Sequence, residues 1–165
     1  MSEAEARRPE GRAERQYLET TVDKFIFRVA LDRLYSAEGI WVQDEREGRV
    51  RVGLTDFRQQ RDGDVAFIEI KSPGTVLAAG DELGTVETIK VIVSIPSPVA
   101  GTVREVNPAL ETGPEVANQD PYGGGWLAVI ETTAGGVPFA GDGLLDAHAY
   151  FVQMKRQAEE EAGKA

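Results

Sequence analysis

From Asp64 to Asn107 the chain runs through short stretches of strand-forming residues, each cut by glycine or proline, and this segment constrains the fold more than any other. Val, Ile and Thr recur throughout it, and Pro73, Gly74, Gly80, Gly84, Pro96, Pro98 and Gly101 fall every few residues. β-Branched side chains favour the pleated backbone, whereas glycine and proline turn the chain. At its centre, VETIKVIVSIPSP (86–98) sets one lysine, Lys90, between strand formers on both sides. An ammonium group amid so much apolar surface makes sense if the chain doubles back there and a turn displays it. The plainer reading is an ordinary surface lysine.

The flanking segments extend the β pattern. In YLETTVDKFIFRVALDRL (17–34), Phe25, Phe27 and Val29 share a face if extended, which predicts a short strand or ordered arm. IWVQDEREGRVRVGL reads as strand, charged turn at 45–48, strand. In TDFRQQRDGD, Thr55 suits an N-cap, Asp56 the first turn and Gly63 a left-handed end, predicting a short helix after the second strand. PALETGPEVANQDPYGGGW reads as a long loop with one turn of helix, and WLAVIET as a last strand. TAGGVPFAGDG is a linker, and a C-terminal helix is expected over about 142–162, with Leu144, Ala147, Phe151 and Met154 on one stripe. Short strands with frequent turns predict an all-β domain, a small β-sandwich or flattened barrel with a helix appended. Residues 1–16 are polar and of mixed charge, so they are read as a flexible tail before a single domain over 17–165.

Several function classes are disfavoured. Eighteen Lys and Arg against 28 Asp and Glu give a net charge of −10, unsuited to nucleic acid or an anionic membrane. Solubility, a salty cytoplasm or a basic partner would each account for the excess acid. The chain has no cysteine, which rules out disulfides and thiolate chemistry of its own. No apolar run approaches a membrane span, and the N-terminus lacks the apolar core of a signal peptide, so a cytoplasmic protein is expected. The single histidine, His148, falls on the C-terminal helix and reads as a solvated or packed residue. YGGGW precedes a strand, not a helix, and so is no phosphate cradle. Ser94 and Ser97 lack a nucleophile motif, and Trp41 and Trp126 read as core. Any chemistry must be imported.

Residues 34–154 resemble the glycine cleavage H-protein family and its lipoate-binding relatives. The matching segments are LYSAEGIWV, RVGLTDF, GDVAFIEI, GTVETIKVIVSIPSPVAGTVREVN, NQDPYGGGWL and LLDAHAYF, in the family's order. The resemblance implies a lipoyl-type β-sandwich (hybrid hammerhead) with a lysine at a hairpin tip, joined to lipoate by an amide. ETIKV stands in the place of the family's E-S-V-K-A, which makes Lys90 the implied attachment residue and lipoate the implied cofactor. Glu87, three residues before the lysine, and Gly74, sixteen before, are the implied recognition positions for a lipoate ligase or lipoyl transferase. The Met-Lys-Met of biotin carriers and the Asp-Lys-Ala of 2-oxo acid dehydrogenase lipoyl domains are both absent. A carrier of this kind is not itself an enzyme. Its flexible tether raises the local concentration of its cargo at each partner's site.

The chain departs from the family where the loaded arm would be sheltered. Glycine-cleavage members hold a cationic aminomethyl group with the Glu of H-E-W and an Asp four residues after the lysine. Here Gly39 and Ile40 replace the His and Glu, Ser94 replaces the Asp, and Arg61 occupies a helix position that holds His in some members. Glu38, Ile40, Arg61 and Ser94 are thus the candidate cleft residues, and a cleft short of carboxylates suits an anion better than an ammonium. The arm VDKFIFRVALDR resembles lipoate-binding proteins of heterodisulfide-reductase-like sulfur oxidation. That implies sulfur cargo passed through a thiol–disulfide couple, with the heterodisulfide-reductase-like complex and dihydrolipoamide dehydrogenase as partners. The alternative is the H protein of glycine cleavage, shuttling methylamine with glycine decarboxylase and aminomethyltransferase. A second alternative is a lipoyl relay or reservoir, whose lipoyl group would be removable and re-attached elsewhere.

Overall fold

The computed structural model of the chain describes residues 16–133 and 143–163. Residues 1–15 of the expected tail over 1–16, most of the linker and Asp142 lie outside the described residues. The chain forms β1 (Tyr17–Val22), β2 (Phe25–Ala30), β3 (Leu34–Tyr35), β4 (Ile40–Arg46) and β5 (Arg49–Leu54), then a helix α1 (Asp56–Asp62). There follow β6 (Val65–Ile70), β7 (Val76–Leu77), β8 (Glu82–Thr88), β9 (Ile92–Pro96) and β10 (Gly101–Val106). Two short helices, α2 (Ala109–Thr112) and α3 (Val116–Gln119), lead to β11 (Ala128–Thr132) and the terminal helix α4 (Ala147–Gly163).

Every pairing is antiparallel. Six strands lie in the order β3-β4-β5-β11-β10-β7, and three more as β6-β8-β9. Side chains alternate across each strand, and the inward sets of the two sheets meet in one apolar core. Ile40, Val50, Val52 and Ile130 come from the larger sheet, and Val65, Leu83, Val86 and Ile95 from the smaller. This is the expected β-sandwich, mostly sheet with a C-terminal helix.

The arm before β3 is more than one strand. β1 and β2 pair from Tyr17↔Ala30 to Val22↔Phe25 as a hairpin of their own. Asp23 turns the chain at φ 57, a conformation aspartate tolerates better than most residues. Phe27 and Val29 are buried as their shared face predicts, whereas Phe25 stays 55% exposed at the tip. The hairpin and α4 make a second core with Tyr35, Trp41, Phe57 and Tyr122. The loop after β10 holds two helical turns where one was expected. The terminal helix begins at Ala147, not near 142, because Leu145 is used in a bridge to Tyr35. Asp146 then starts the helix, its carboxylate accepting from the Ala149 N–H at 2.8 Å.

Candidate functional site

Lys90 stands in the turn between β8 and β9, exposed between Ile89 (93% exposed) and Val91. The turn is braced from below by Thr88, which is buried. The backbone N–H of Thr88 donates to the Val91 carbonyl at 2.8 Å. The N–H groups of Lys90 and Val91 each reach the Thr88 hydroxyl oxygen at 3.2 Å. Thr88 was passed over in the sequence as one β-former among many, although a hydroxyl two residues before the tip was there to be read.

The stem of Lys90 lies against the end of α1. At Gly63, which closes that helix with φ +98, a Cβ would come within 3.3 Å of Lys90 Cε. Glycine is fitted there twice over, by its left-handed backbone and by the side chain that crosses it.

Glu87 is exposed on the outer face of β8, between Phe67 of β6 and Ile92 of β9 in register. Gly74 occupies a tight turn at φ +97, its N–H donating to Val103 O at 2.7 Å. It belongs to the loop beside β10 and takes no part in the β8–β9 hairpin.

A cleft between residues 37–39, α1, β9 and α4 gathers Glu38, Arg61 and Ser94, together with Arg58 and Tyr150. Ile40 does not join them. It is fully buried in the core between the sheets, because alternation along β4 turns it inward while Trp41 faces the second core. A carboxylate at that position would be buried without a partner and would not equip the cleft.

Arg58 is the residue that sequence reading missed. Its side chain is only 6% exposed, and its Nε pairs with Asp62, itself 7% exposed, at 3.0 Å. Nη1 donates to Glu38 O at 2.8 Å and Nη2 to Ser94 O at 3.0 Å. One guanidinium thereby ties the 37–39 turn to the edge strand β9 across the floor of the cleft. The signal present in the sequence was the i,i+4 spacing of Arg58 and Asp62 in RQQRD.

Arg61 lies on the outer wall, 5.7 Å from the Phe57 ring centre, with Nε 3.5 Å from Asp62 and Nη1 3.9 Å from Glu161. The Ser94 hydroxyl donates to Glu82 at 2.9 Å. Glu82 also pairs with Lys71 at 3.6 Å. The predicted shortage of carboxylates is therefore partly made good: Glu38 lines the cleft and Glu82 reaches Ser94 from β8. On the inner wall the Tyr150 hydroxyl shares a 3.0 Å bond with Thr55, the N-cap of α1. Burial pushes the Tyr150 phenol up to about 12. His148 is exposed on α4. Among the described residues there is no metal-type cluster of His, Cys, Asp and Glu, and no helix long and apolar enough to cross a membrane.

The family profile described as glycine cleavage H-protein matches residues 33–157. Glycine cleavage system H proteins of Mycobacterium leprae and Laribacter hongkongensis are 45% and 43% identical over 120 and 122 residues, spanning 72% and 74% of this chain and 91% and 94% of theirs. That of Salinibacter ruber is 41% identical over 119 residues, 72% of this chain and 93% of its own. A crystal structure of the glycine cleavage system H protein from Mycobacterium marinum superposes with a TM-score of 0.66 at 34% identity, covering 74% of this chain and 96% of that one. This chain belongs to the glycine cleavage H-protein family.

Proposed function

We propose that Lys90 is the attachment point of the lipoyl group, and that the loaded protein shuttles an aminomethyl group between the enzymes of glycine cleavage. Proteins of this family are lipoyl carriers, not enzymes, and bear lipoate on a lysine. The observation that carries the assignment is the seat of Lys90: an exposed apex, a turn braced by Thr88, and a glycine at 63 over which the lysine stem passes. These residues fit an acylated lysine, since the Thr88 hydroxyl fixes the backbone of the turn while the end of the exposed stem passes over a glycine that leaves room for it. The lipoyl group, when attached, supplies a dithiolane whose disulfide accepts the transferred group as it opens. The chain's own residues present and shield it. Thr88 fixes the apex, Glu87 offers an exposed carboxylate beside it to the lipoylating enzyme, and the cleft supplies Glu38 toward a cationic cargo. Glycine decarboxylase, aminomethyltransferase, dihydrolipoamide dehydrogenase and a lipoate ligase are the partners this reading implies.

A second reading is favoured by one feature of the cleft. Arg58 and Arg61 face it where a cationic cargo would gain nothing from them, and an anionic or neutral sulfur cargo would meet less repulsion. The experiment that separates the two loads the lipoylated protein in parallel, with glycine decarboxylase and glycine, and with thiosulfate-oxidising enzymes. The glycine-cleavage reading predicts a protein mass raised by one aminomethyl group, at a rate comparable to a relative's H protein. Failure to load from glycine, with sulfur added in the parallel reaction, would replace the first reading with the second.

A further inference from the structure

Next to the cleft, the β1–β2 hairpin roofs an apolar pocket of about 260 Å³ against α1 and α4. Its apolar lining is Val22, Phe25, Phe27, Phe57, Ala158 and Ala162. The volume lies just below the roughly 300–1,000 Å³ of drug-sized ligand sites, which suits a small ring on an alkyl chain. The hairpin precedes the part of the chain that the family profile matches, so the roof of the pocket lies outside that match, while its Phe57 and Arg61 wall lies within it.

We infer that this pocket is a docking site for the dithiolane ring of the arm on Lys90, an inference that rests on Lys90 being the lipoylated residue. Three observations lead there. First, the far end of the lysine stem, Cε and Nζ, lies over Gly63 at the end of α1. Phe57 stands six residues back along that helix, a span of about 9 Å at the helical rise. The acyl chain and ring reach about as far beyond Nζ at ordinary bond lengths. Second, Phe57 and Arg61 are walls of both the cleft and the pocket, so the two are adjoining spaces along one path. Third, the cleft floor is closed by the Arg58 guanidinium bonded to Glu38 O and Ser94 O, a polar surface that an uncharged ring gains little by covering. The pocket offers aromatic faces instead: the Phe27 and Phe57 rings meet edge-on at 5.2 Å, with Phe25 6.4 Å from Phe27. Divalent sulfur makes favourable contacts with aromatic rings. Arg61, lying over Phe57, stands on the wall the ring must pass.

The test compares lipoylated and unlipoylated full-length protein by methyl NMR, with intact mass confirming the modification. Docking shifts the methyl signals of Val22, Ala158 and Ala162 on lipoylation. It also slows reduction of the dithiolane by a water-soluble phosphine, since an arm docked three-quarters of the time reacts about fourfold more slowly than a free one. Ala158→Trp, which fills the pocket, and Phe25→Ala, which opens its exposed rim, should each abolish the shifts and restore fast reduction. The second variant changes a half-exposed residue and keeps the test valid if the first misfolds. Shifts confined to Val93 and Ala37 of the cleft region, or reduction rates unchanged by both variants, would overturn the inference while leaving the carrier reading intact. A mass showing no lipoyl group on Lys90 would overturn both.

Discussion

Replacing Arg58 with alanine should cost more stability than any change at the exposed site residues. Arg58 and Asp62 are each over nine-tenths buried and 3.0 Å apart. Truncation leaves the Asp62 carboxylate in the interior, and breaking such a pair from one side costs about 3–5 kcal/mol. Two features place the loss toward the lower end. The carbonyls of Glu38 and Ser94, which lose their donors, belong to exposed residues that water reaches. Arg61, with Nε 3.5 Å from Asp62 and 37% exposed, supplies some of the missing charge. With a loss of about 3 kcal/mol and 2–4 °C per kcal/mol for a chain of this size, the midpoint should fall by roughly 6–12 °C. Arg58→Met combined with Asp62→Leu should recover most of the loss, because removing both charges removes the stranded carboxylate. Urea and thermal unfolding of the wild type, the single variant and the double variant measure this. A single variant within about 1 kcal/mol of wild type, or a double variant no better than the single, would refute the clasp as the support of Asp62.

Three further outcomes follow from the same geometry. Glu87→Ala should change stability by no more than about 0.5 kcal/mol, as expected of an exposed residue, yet slow lipoylation in a timed ligase assay; equal rates would remove Glu87 from recognition. Thr88→Val should leave two turn N–H groups without their hydroxyl, costing about 1–2 kcal/mol and speeding amide exchange at Val91; unchanged exchange would show that the turn holds itself. Stability should fall as pH rises from about 10 toward 12, because burial raises the phenols of Tyr150, to about 12, and of Tyr35 and Tyr122. The unfolded chain then releases protons that the folded one keeps, so the loss is absent below the ordinary tyrosine range. Denaturation midpoints between pH 9 and 12 check it, and Tyr150→Phe should flatten the slope.

The β-sandwich and the exposed lysine were legible because both rest on local rules. Strand formers on both sides of Lys90 allow a hairpin, which the family resemblance implied, and Thr55, Asp56 and Gly63 bracket α1 with short-range hydrogen bonds. The misreadings share a different cause. Ile40 was assigned to the cleft because it stands where the family's H-E-W carries its Glu, but alternation along β4 turns its side chain into the core. The bridge between Tyr35 and Leu145, which delays α4, joins residues far apart in sequence, and no local pattern encodes it. The hairpin at residues 17–30 was read as a short strand or ordered arm because Asp23, unlike glycine, does not announce a left-handed turn. Arg58 was not singled out in the sequence, because its role depends on the packing of α1 against β9, where its guanidinium spans to Glu38 O and Ser94 O.

The carrier role rests on Lys90, and intact-mass measurement after incubation with a lipoate ligase tests it most directly. The protein should gain one lipoyl group, peptide mapping should place it on Lys90, and Lys90→Arg should gain none while unfolding at the same midpoint. A group found on Lys71 or another lysine, or added equally to the Lys90→Arg variant, would contradict Lys90 as the carrier residue.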